Sequence, residues 1–228
     1  MSKTYKIILL SFLLIFLTTF NPINFNFFKF EKKNSLLTVQ IIEIKNNLIL
    51  DTKKILDELQ SIYERNIFFL KKEDLYESLN HIEFIERIEV KKKYPDTLIV
   101  KVFEEKIVGI FFKKKEKFFI TQSSKLIKFD DNIYINNLPS IFGDGAENNF
   151  VIFSNKLKKS DFPYDKIKNF YYFKIGRWDL ELFDNKTIKL PFENVLDSIN
   201  QAKVLIERED FKKYTIIDLR LKGKVITE

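Results

Sequence analysis

A turn leads directly into a strand in YPDTLIVKVFE, residues 94–104. Pro95 fixes its own φ and Asp96 can bond the backbone that follows it, a combination typical of tight turns. The next residues alternate as in a strand with two distinct faces: Leu98, Val100 and Val102 on one side, and Ile99, Lys101 and Phe103 on the other. Because the apolar positions of 84–90 indicate a strand before the turn, we predict a β-hairpin.

Two short helices and one more strand precede this hairpin. Val39–Ile44 alternates like a strand, and Asp51 is a good N-cap for a helix. That helix places four apolar side chains on one face: Ile55, Leu56, Leu59 and Ile62. A second helix is predicted over Glu73–Asn80, with leucines one turn apart. The predicted order is β-α-α-β-β over residues 38–104, a small α+β domain with both helices on one face of the sheet.

The second half of the chain is dominated by short strand patterns. They predict strands over five segments: Ile107–Phe112, Phe118–Thr121, Trp178–Leu182, Thr187–Leu190 and Thr215–Leu221. Pro139 and Gly143 punctuate residues 138–143, which we predict to be a loop. One helix is predicted over Glu193–Glu209. The fold class is therefore α+β, with a mostly antiparallel β domain and a C-terminal helix over residues 105–228.

The N-terminal part carries an apolar run without charge, residues 7–28. A helix needs about 20 residues to cross the hydrocarbon core of a bilayer, and this run has that length. A cleaved signal peptide would need an A-x-A-like site, and none occurs there. We therefore predict an uncleaved transmembrane anchor over residues 7–28. Residues 1–6 would be a cytoplasmic tail, and the folded part would lie in the periplasm.

Composition excludes several kinds of site. The 228 residues include no Cys and one His, which leaves no disulfide framework, no thiol nucleophile and no Cys-based metal site. Lys and Arg outnumber Asp and Glu by 39 to 32, a net charge of +7. Lysine is favoured over arginine throughout, so the excess indicates a composition bias rather than a nucleic-acid partner. No cofactor is expected.

No group of residues has the pattern of a catalytic site. His81 has no second His or Cys to join it and is expected on the surface or as a helix cap. Asp130, Asp131 and Asp144 lie in loops without the surroundings of a catalytic carboxylate pair, and Ser123 lacks a nucleophile motif. Phosphate-binding glycine motifs do not occur. The sequence therefore predicts a protein that is not an enzyme.

The order of these elements and several short motifs resemble the FtsQ/DivIB family of bacterial division proteins. The βααββ unit is similar to a POTRA domain of the FtsQ type, with its YP turn and a last strand that closes on Glu104. Leu138-Pro139 with Gly143 resembles a loop of the family, and Trp178-Asp179-Leu180 and Asp218-Leu219-Arg220 resemble later motifs. Each motif is weak by itself, whereas the ordered set covers nearly the whole chain.

The resemblance implies a scaffold of the divisome in the inner membrane, at the division septum. It would link early cytoplasmic to late periplasmic division proteins. Homologues of FtsB and FtsL would be its direct partners, with FtsK, FtsW and the septal transpeptidase further out. The POTRA-like unit, about Thr38–Glu104, would supply recruitment to the septum. The alternative is a periplasmic POTRA-type chaperone or outer-membrane assembly module, although those proteins usually carry tandem POTRA units and this chain has one.

The resemblance also implies where the partner binds. In the family a partner segment docks near the last strands, just after the Asp-Leu-Arg motif. An edge strand offers unpaired N–H and C=O groups to which a partner can add a strand. Carried over, the predicted FtsB site comprises ten consecutive residues: Ile216, Ile217, Asp218, Leu219, Arg220, Leu221, Lys222, Gly223, Lys224 and Val225.

Overall fold

The computed structural model describes residues 3–19 and 37–228. Helix α1 (Lys3–Thr19) stands first, and the remaining described residues form two sheets with helices packed on them, an α+β fold. Among the described residues, no helix combines the length and the apolar character needed to cross a membrane. The predicted anchor begins within α1, and its residues 20–28 lie outside the described part of the chain.

The first sheet belongs to a unit whose elements follow the predicted order. They are β1 (Ile41–Lys45), α2 (Thr52–Glu58), α3 (Lys72–Leu79), β2 (Ile85–Lys93) and β3 (Thr97–Glu104). Strand β3 lies in the centre, parallel to β1 and antiparallel to β2. The Asp51 carboxylate accepts the Lys53 N–H at 3.0 Å, as expected of an N-cap. The hairpin, both helices and the first strand are therefore confirmed.

Glu104, the last residue of β3, holds the loop between β1 and α2. Its carboxylate accepts the backbone N–H groups of Leu48 at 3.0 Å, Ile49 at 2.8 Å and Leu50 at 2.8 Å. One side chain thus satisfies three backbone donors of this loop. This gives a physical reason for a glutamate at the end of the strand.

The second sheet has nine strands among the described residues, in the order β12-β11-β10-β9-β8-β7-β4-β5-β6. They are β4 (Ile107–Lys113), β5 (Glu116–Thr121), β6 (Leu126–Lys128), β7 (Ser140–Phe142), β8 (Ile167–Phe173), β9 (Arg177–Leu182), β10 (Thr187–Lys189), β11 (Ile216–Asp218) and β12 (Ile226–Thr227). Three neighbouring pairs are parallel: β4 with β7, β7 with β8, and β10 with β11. The others are antiparallel, so the mostly antiparallel character is confirmed.

One face of this sheet packs against α4 (Ala146–Lys159) and α5 (Val195–Glu207). Trp178 is 4% exposed, and its ring stacks on Phe153 with centroids 4.9 Å apart. Phe150 and Phe170 are fully buried beside it. Trp178 thus packs in the core between the sheet and α4.

Strands of the second sheet contribute side chains to the core of the first unit. Phe119 of β5 and Ile127 of β6 are each 1% exposed, and both belong to the apolar cluster built by α2, α3 and the first sheet. The Phe119 ring meets Phe84 edge-on at 5.9 Å between centroids. Packing therefore continues across residue 105, where the sequence pattern changes.

Two sequence-based expectations differ from the structure, and some elements were not expected. Residues 138–143 contain strand β7 rather than a loop, because Ser140–Phe142 are paired on both sides by parallel neighbours. The final strand covers Ile216–Asp218 instead of Thr215–Leu221, because the chain turns back after Leu219. Helix α4 and strand β8 were not predicted at all.

Candidate partner-binding site

The C-terminal end of the large sheet carries the predicted FtsB segment, but β11 is not its edge. Strand β11 pairs with β10 on one side and with β12 on the other. The outermost strand among the described residues is β12 (Ile226–Thr227), which follows the predicted segment. The position of the edge is thus corrected to β12, because the chain folds back as a hairpin after β11.

The pairing of β11 with β12 fixes which backbone groups of the edge point outward. Ile216 and Glu228 exchange two hydrogen bonds, N–H to O at 3.1 and 3.3 Å. Opposite residues in an antiparallel pair alternate between bonded and non-bonded positions, so Thr227 directs its N–H and C=O away from β11. Thr227 therefore offers a donor and an acceptor to an added strand.

The ten predicted residues divide into an inner set, an outer set and Ile216, which is half-buried at the start of β11. Ile217, Asp218 and Leu219 are buried inside the sheet, at 0%, 8% and 3% exposed. The loop between β11 and β12 brings most of the outer set to the surface: Arg220, Leu221, Lys222, Gly223 and Lys224 are exposed, and Val225 is half-buried. The outer set can touch a partner, whereas the inner residues support the hairpin.

Asp218 and Arg220 lock the start of this loop. The Asp218 carboxylate accepts the Arg220 backbone N–H at 3.0 Å, Nε at 2.9 Å and Nη2 at 2.5 Å. Hydrogen bonding from Arg220 holds the pKa of Asp218 below its usual range. The Asp-Leu-Arg motif is therefore a clamp within the chain, and it turns Leu221 outward.

A groove of about 820 Å³ runs beside the loop. Apolar walls come from the β8–β9 turn, the 190–193 turn, the loop and β12: Ile175, Pro191, Phe192, Leu221 and Ile226. Several of these side chains are well exposed, with Phe192 at 64%, Leu221 at 55% and Ile226 at 45%. An apolar groove next to an unpaired strand edge suits a peptide that contributes backbone to the edge and side chains to the groove.

Two charged residues lie buried on strand β9, near the groove. Arg177 Nε and Asp179 Oδ1 are 3.7 Å apart, and neither atom has a hydrogen-bond partner among the described residues. Burial raises the pKa of Asp179, against the opposing effect of Arg177. Arg177 lines the groove, and its guanidinium lies over the Phe173 ring at 4.0 Å from the ring centroid.

Sequence reasoning missed Phe192, and it included Thr227 only as part of Lys224–Thr227, a segment predicted to extend the edge. Gly176 explains the position of the phenylalanine: a Cβ built on Gly176 would lie 2.4 Å from Phe192 Cε2, so only glycine leaves room for the ring. In the sequence, the signal for this residue was an aromatic side chain directly after Leu190-Pro191. The outward role of Thr227 depends on pairing that no local pattern reveals.

The residues weighed for catalysis lie apart from this groove. His81 Nε2 lies 2.8 Å from Glu58 Oε2, on the surface of the first unit. Asp130 accepts two bonds from Asn132, and Ser123 donates to Glu105. In the described part of the chain, no three His, Asp or Glu side chains are grouped to hold a metal ion.

Comparisons with known proteins agree with the fold and its motifs. The family model "POTRA domain, FtsQ-type" matches residues 37–105. Cell division protein FtsQ of Rhizobium radiobacter is 30% identical over 152 residues, covering 63% of this chain and 69% of the relative. This chain belongs to the FtsQ family of cell division proteins. FtsQ of Rickettsia prowazekii is 28% identical over 194 residues, covering 78% and 69%, and FtsQ of Rickettsia conorii is 29% identical over 197 residues, covering 82% and 70%.

A solved structure is also similar, although distantly. It is the major extracytoplasmic domain of the cell division protein DivIB from Geobacillus stearothermophilus. The match has 11% identity and a TM-score of 0.34, and covers 45% of this chain and 91% of that one. Membership of the FtsQ family rests on the sequence matches alone.

Proposed function

We propose that this FtsQ-family protein is a non-enzymatic scaffold of the divisome that binds homologues of FtsB and FtsL through strand β12 and its groove. The observation that carries the proposal is the outward N–H and C=O of Thr227, on the outermost strand of the sheet in the described part of the chain. Beside the edge, the groove supplies apolar contacts from Phe192, Leu221 and Ile226. FtsK, FtsW and the septal transpeptidase would act further out in the assembly.

The proposed location is the inner membrane at the division septum. Residues 7–28 would anchor the chain, with residues 1–6 in the cytoplasm and the folded part in the periplasm. The uncharged run of residues 7–28 supports the anchor. The unit of residues 38–104 would bring the protein to the septum, by contacts near α3 and β3.

A substitution at Thr227 tests the partner site without disturbing the core. Thr227→Pro removes an outward N–H and leaves the bonds between Ile216 and Glu228 in place, because proline is tolerated on the outer side of an edge strand. Thr227→Ala keeps the N–H and serves as the matched control. We expect Thr227→Pro to lose co-purification with the FtsB homologue and Thr227→Ala to retain it. Equal retention by both variants would contradict strand addition at β12.

Imaging tests the septal part of the proposal. A fluorescent fusion of the full chain should form midcell bands, and the same fusion without residues 38–104 should spread around the envelope. Normal midcell bands of the shortened fusion would show that this unit does not supply recruitment.

A further inference from the structure

Four large apolar side chains are exposed at one end of the first unit. Phe69 is 75% exposed, Phe68 63%, Tyr94 54% and Leu37 40%. Phe68 and Phe69 pack edge to face, with ring centroids 5.4 Å apart, and so project as one pair. Their neighbours Ile67 and Leu70 are buried, at 0% and 3% exposed. The residues before and after the two phenylalanines are therefore buried in the core, whereas the phenylalanines themselves point outward.

Backbone hydrogen bonds place these side chains together. Ile67 N–H donates to the Leu37 carbonyl at 2.7 Å, and Thr38 bridges to Asn66. Gln40 N–H donates to the Asp96 carbonyl at 2.9 Å, which joins the same chain segment to the turn that carries Tyr94. Three features therefore lie at the same end of the unit: the chain at Leu37, the loop that carries Phe68 and Phe69, and the β2–β3 turn. We call this end the entry pole.

The loop that presents the phenylalanines is held in place. Asn66 Oδ1 accepts the Phe68 N–H at 2.9 Å, and Lys92 Nζ donates to the Phe68 carbonyl at 3.0 Å. A fixed loop loses little conformational freedom when its side chains become buried by another surface. The pair is therefore preorganised for contact.

Charges around the entry pole are mixed, with lysines among them. The lysines are Lys71, Lys92 and Lys93, and the exposed acids are Glu64 and Glu73. Asp74 is occupied by Arg65 Nη2 at 2.9 Å and the Lys71 N–H at 2.7 Å. Aromatic rings beside lysines are typical of surfaces at the boundary between water and lipid.

The length of the chain before this pole limits its distance from the predicted anchor. Leu37 follows Phe28, the end of the apolar run, by nine positions. A fully extended chain of that length spans at most about 32 Å. Since the domain is attached through Leu37, its entry pole is the part held nearest the end of the anchor.

We propose that the entry pole rests on the bilayer, with Phe68 and Phe69 inserted among the lipid headgroups and the lysines beside anionic lipid. This inference rests on the proposed membrane attachment, and it adds a second, peripheral contact that orients the domain. The occupant is the surface of the phospholipid bilayer itself. Burial of the two rings supplies the attraction.

A labelling experiment tests this contact in the full chain. The chain has no Cys, so Phe69→Cys gives a single site for an environment-sensitive fluorophore. Leu48→Cys is the matched control, because Leu48 is 91% exposed and lies beside Glu104 at the opposite end of β3. In vesicles of equal parts phosphatidylglycerol and phosphatidylcholine, the label at 69 should shift to the blue and be quenched by nitroxide lipids. The label at 48 should do neither.

A second measurement separates this inference from membrane attachment as such. Both hydrophobic cores are built from residues at or after Val39, and the described side chains of α1 are exposed, so residues 37–228 fold without α1. We expect this fragment to bind the same vesicles, and the double variant Phe68→Ser with Phe69→Ser to bind at least about tenfold more weakly.

Each outcome has a distinct meaning. An unquenched label at 69 in full chain that stays with the vesicles would overturn the inference and leave attachment standing. Full chain that washes off the vesicles would refute attachment, and the fragment assay would then decide the inference alone. A label at 69 that shifts in native membranes but not in lipid vesicles would assign the entry pole to a protein partner and overturn the proposal.

Discussion

At the scale of single residues, two carboxylates hold the chain's turns by bonding backbone N–H groups. Glu104 fastens the loop after β1, and Asp218 fastens the loop after β11. Charged acceptors of this kind contribute more than neutral ones, because the negative charge strengthens the attraction to the N–H group. Both residues lie in the motifs that carry the family resemblance, and both have a structural reason to be acidic.

Glu104→Ala should lower the free energy of unfolding by about 2–3 kcal/mol, since three backbone donors lose their acceptor. Glu104→Gln keeps one acceptor oxygen and should cost less. Urea denaturation of both variants measures the difference. Equal stability of Glu104→Ala and the unchanged chain would show that water replaces the carboxylate without cost.

Asp218→Asn tests the clamp through its pH dependence. Because Arg220 lowers the pKa of the folded carboxyl, the unfolded chain takes up the proton first as the pH falls. The contribution of Asp218 is thus present above its ordinary pKa of 3.8 and disappears as the pH falls through the lower folded value. We expect the variant to be less stable by about 1–3 kcal/mol at neutral pH.

That deficit should shrink in acid, because the unchanged chain loses the clamp there and the asparagine variant has none to lose. Denaturation curves of the two proteins at neutral pH and below 3.8 measure the change. A deficit that is constant with pH would contradict the proposed role of the charge.

At the scale of elements, β7 joins the two halves of the large sheet with only three residues. Phe142 stacks between Phe112 of β4 and Tyr171 of β8, at 4.8 and 5.1 Å between ring centroids. Side chains that stack across neighbouring strands stabilise their pairing. This row of rings compensates for the shortness of the strand.

Phe142→Ala should lower the free energy of unfolding by about 2 kcal/mol, because two aromatic contacts across the sheet are lost. Phe183→Ala is the control, at a phenylalanine that is 60% exposed. It should change stability by less than about 0.5 kcal/mol. Equal losses in the two variants would argue against a special role of the row.

The local sequence pattern was sufficient to predict those elements that have a long apolar periodicity or carry turn residues at their ends. The β2–β3 hairpin, the Asp51 cap and the Trp178 strand are examples. Strand β7 was missed because three residues between Pro139 and Gly143 give no period, and their pairing partners lie far away in sequence. Helix α4 had a readable signal in the spacing of Phe150, Phe153 and Leu157.

The candidate site followed only in part from sequence. The Asp-Leu-Arg motif located the right corner of the sheet, whereas the fold-back that makes β12 the edge depends on long-range pairing. Phe192 reaches the groove because Gly176, distant in sequence, leaves space for its ring. Such contacts between remote segments leave no local period to detect.

At the scale of the whole molecule, the core of the first unit couples the two units, because strands of the second sheet contribute to it. Phe119→Ala removes a buried ring that contacts both Phe84 and Phe129, and should cost about 3–5 kcal/mol. Because Phe119 belongs to the apolar cluster of the first unit but lies on the second sheet, its removal should destabilise both units. Hydrogen exchange should therefore rise at β3 as well as at β5. Phe150→Ala, which lies in the other apolar cluster, is the comparison variant. If exchange in Phe119→Ala became faster at β5 alone, the two units would be independent.

The central claim is that a partner adds a strand at β12, and hydrogen exchange of the Thr227 amide tests it most directly. In the free protein this N–H points away from β11 and should exchange quickly. With the FtsB homologue bound, we predict strong slowing at Thr227, because the amide then donates to the added strand. Unchanged exchange at Thr227 in a complex that has formed would contradict the account.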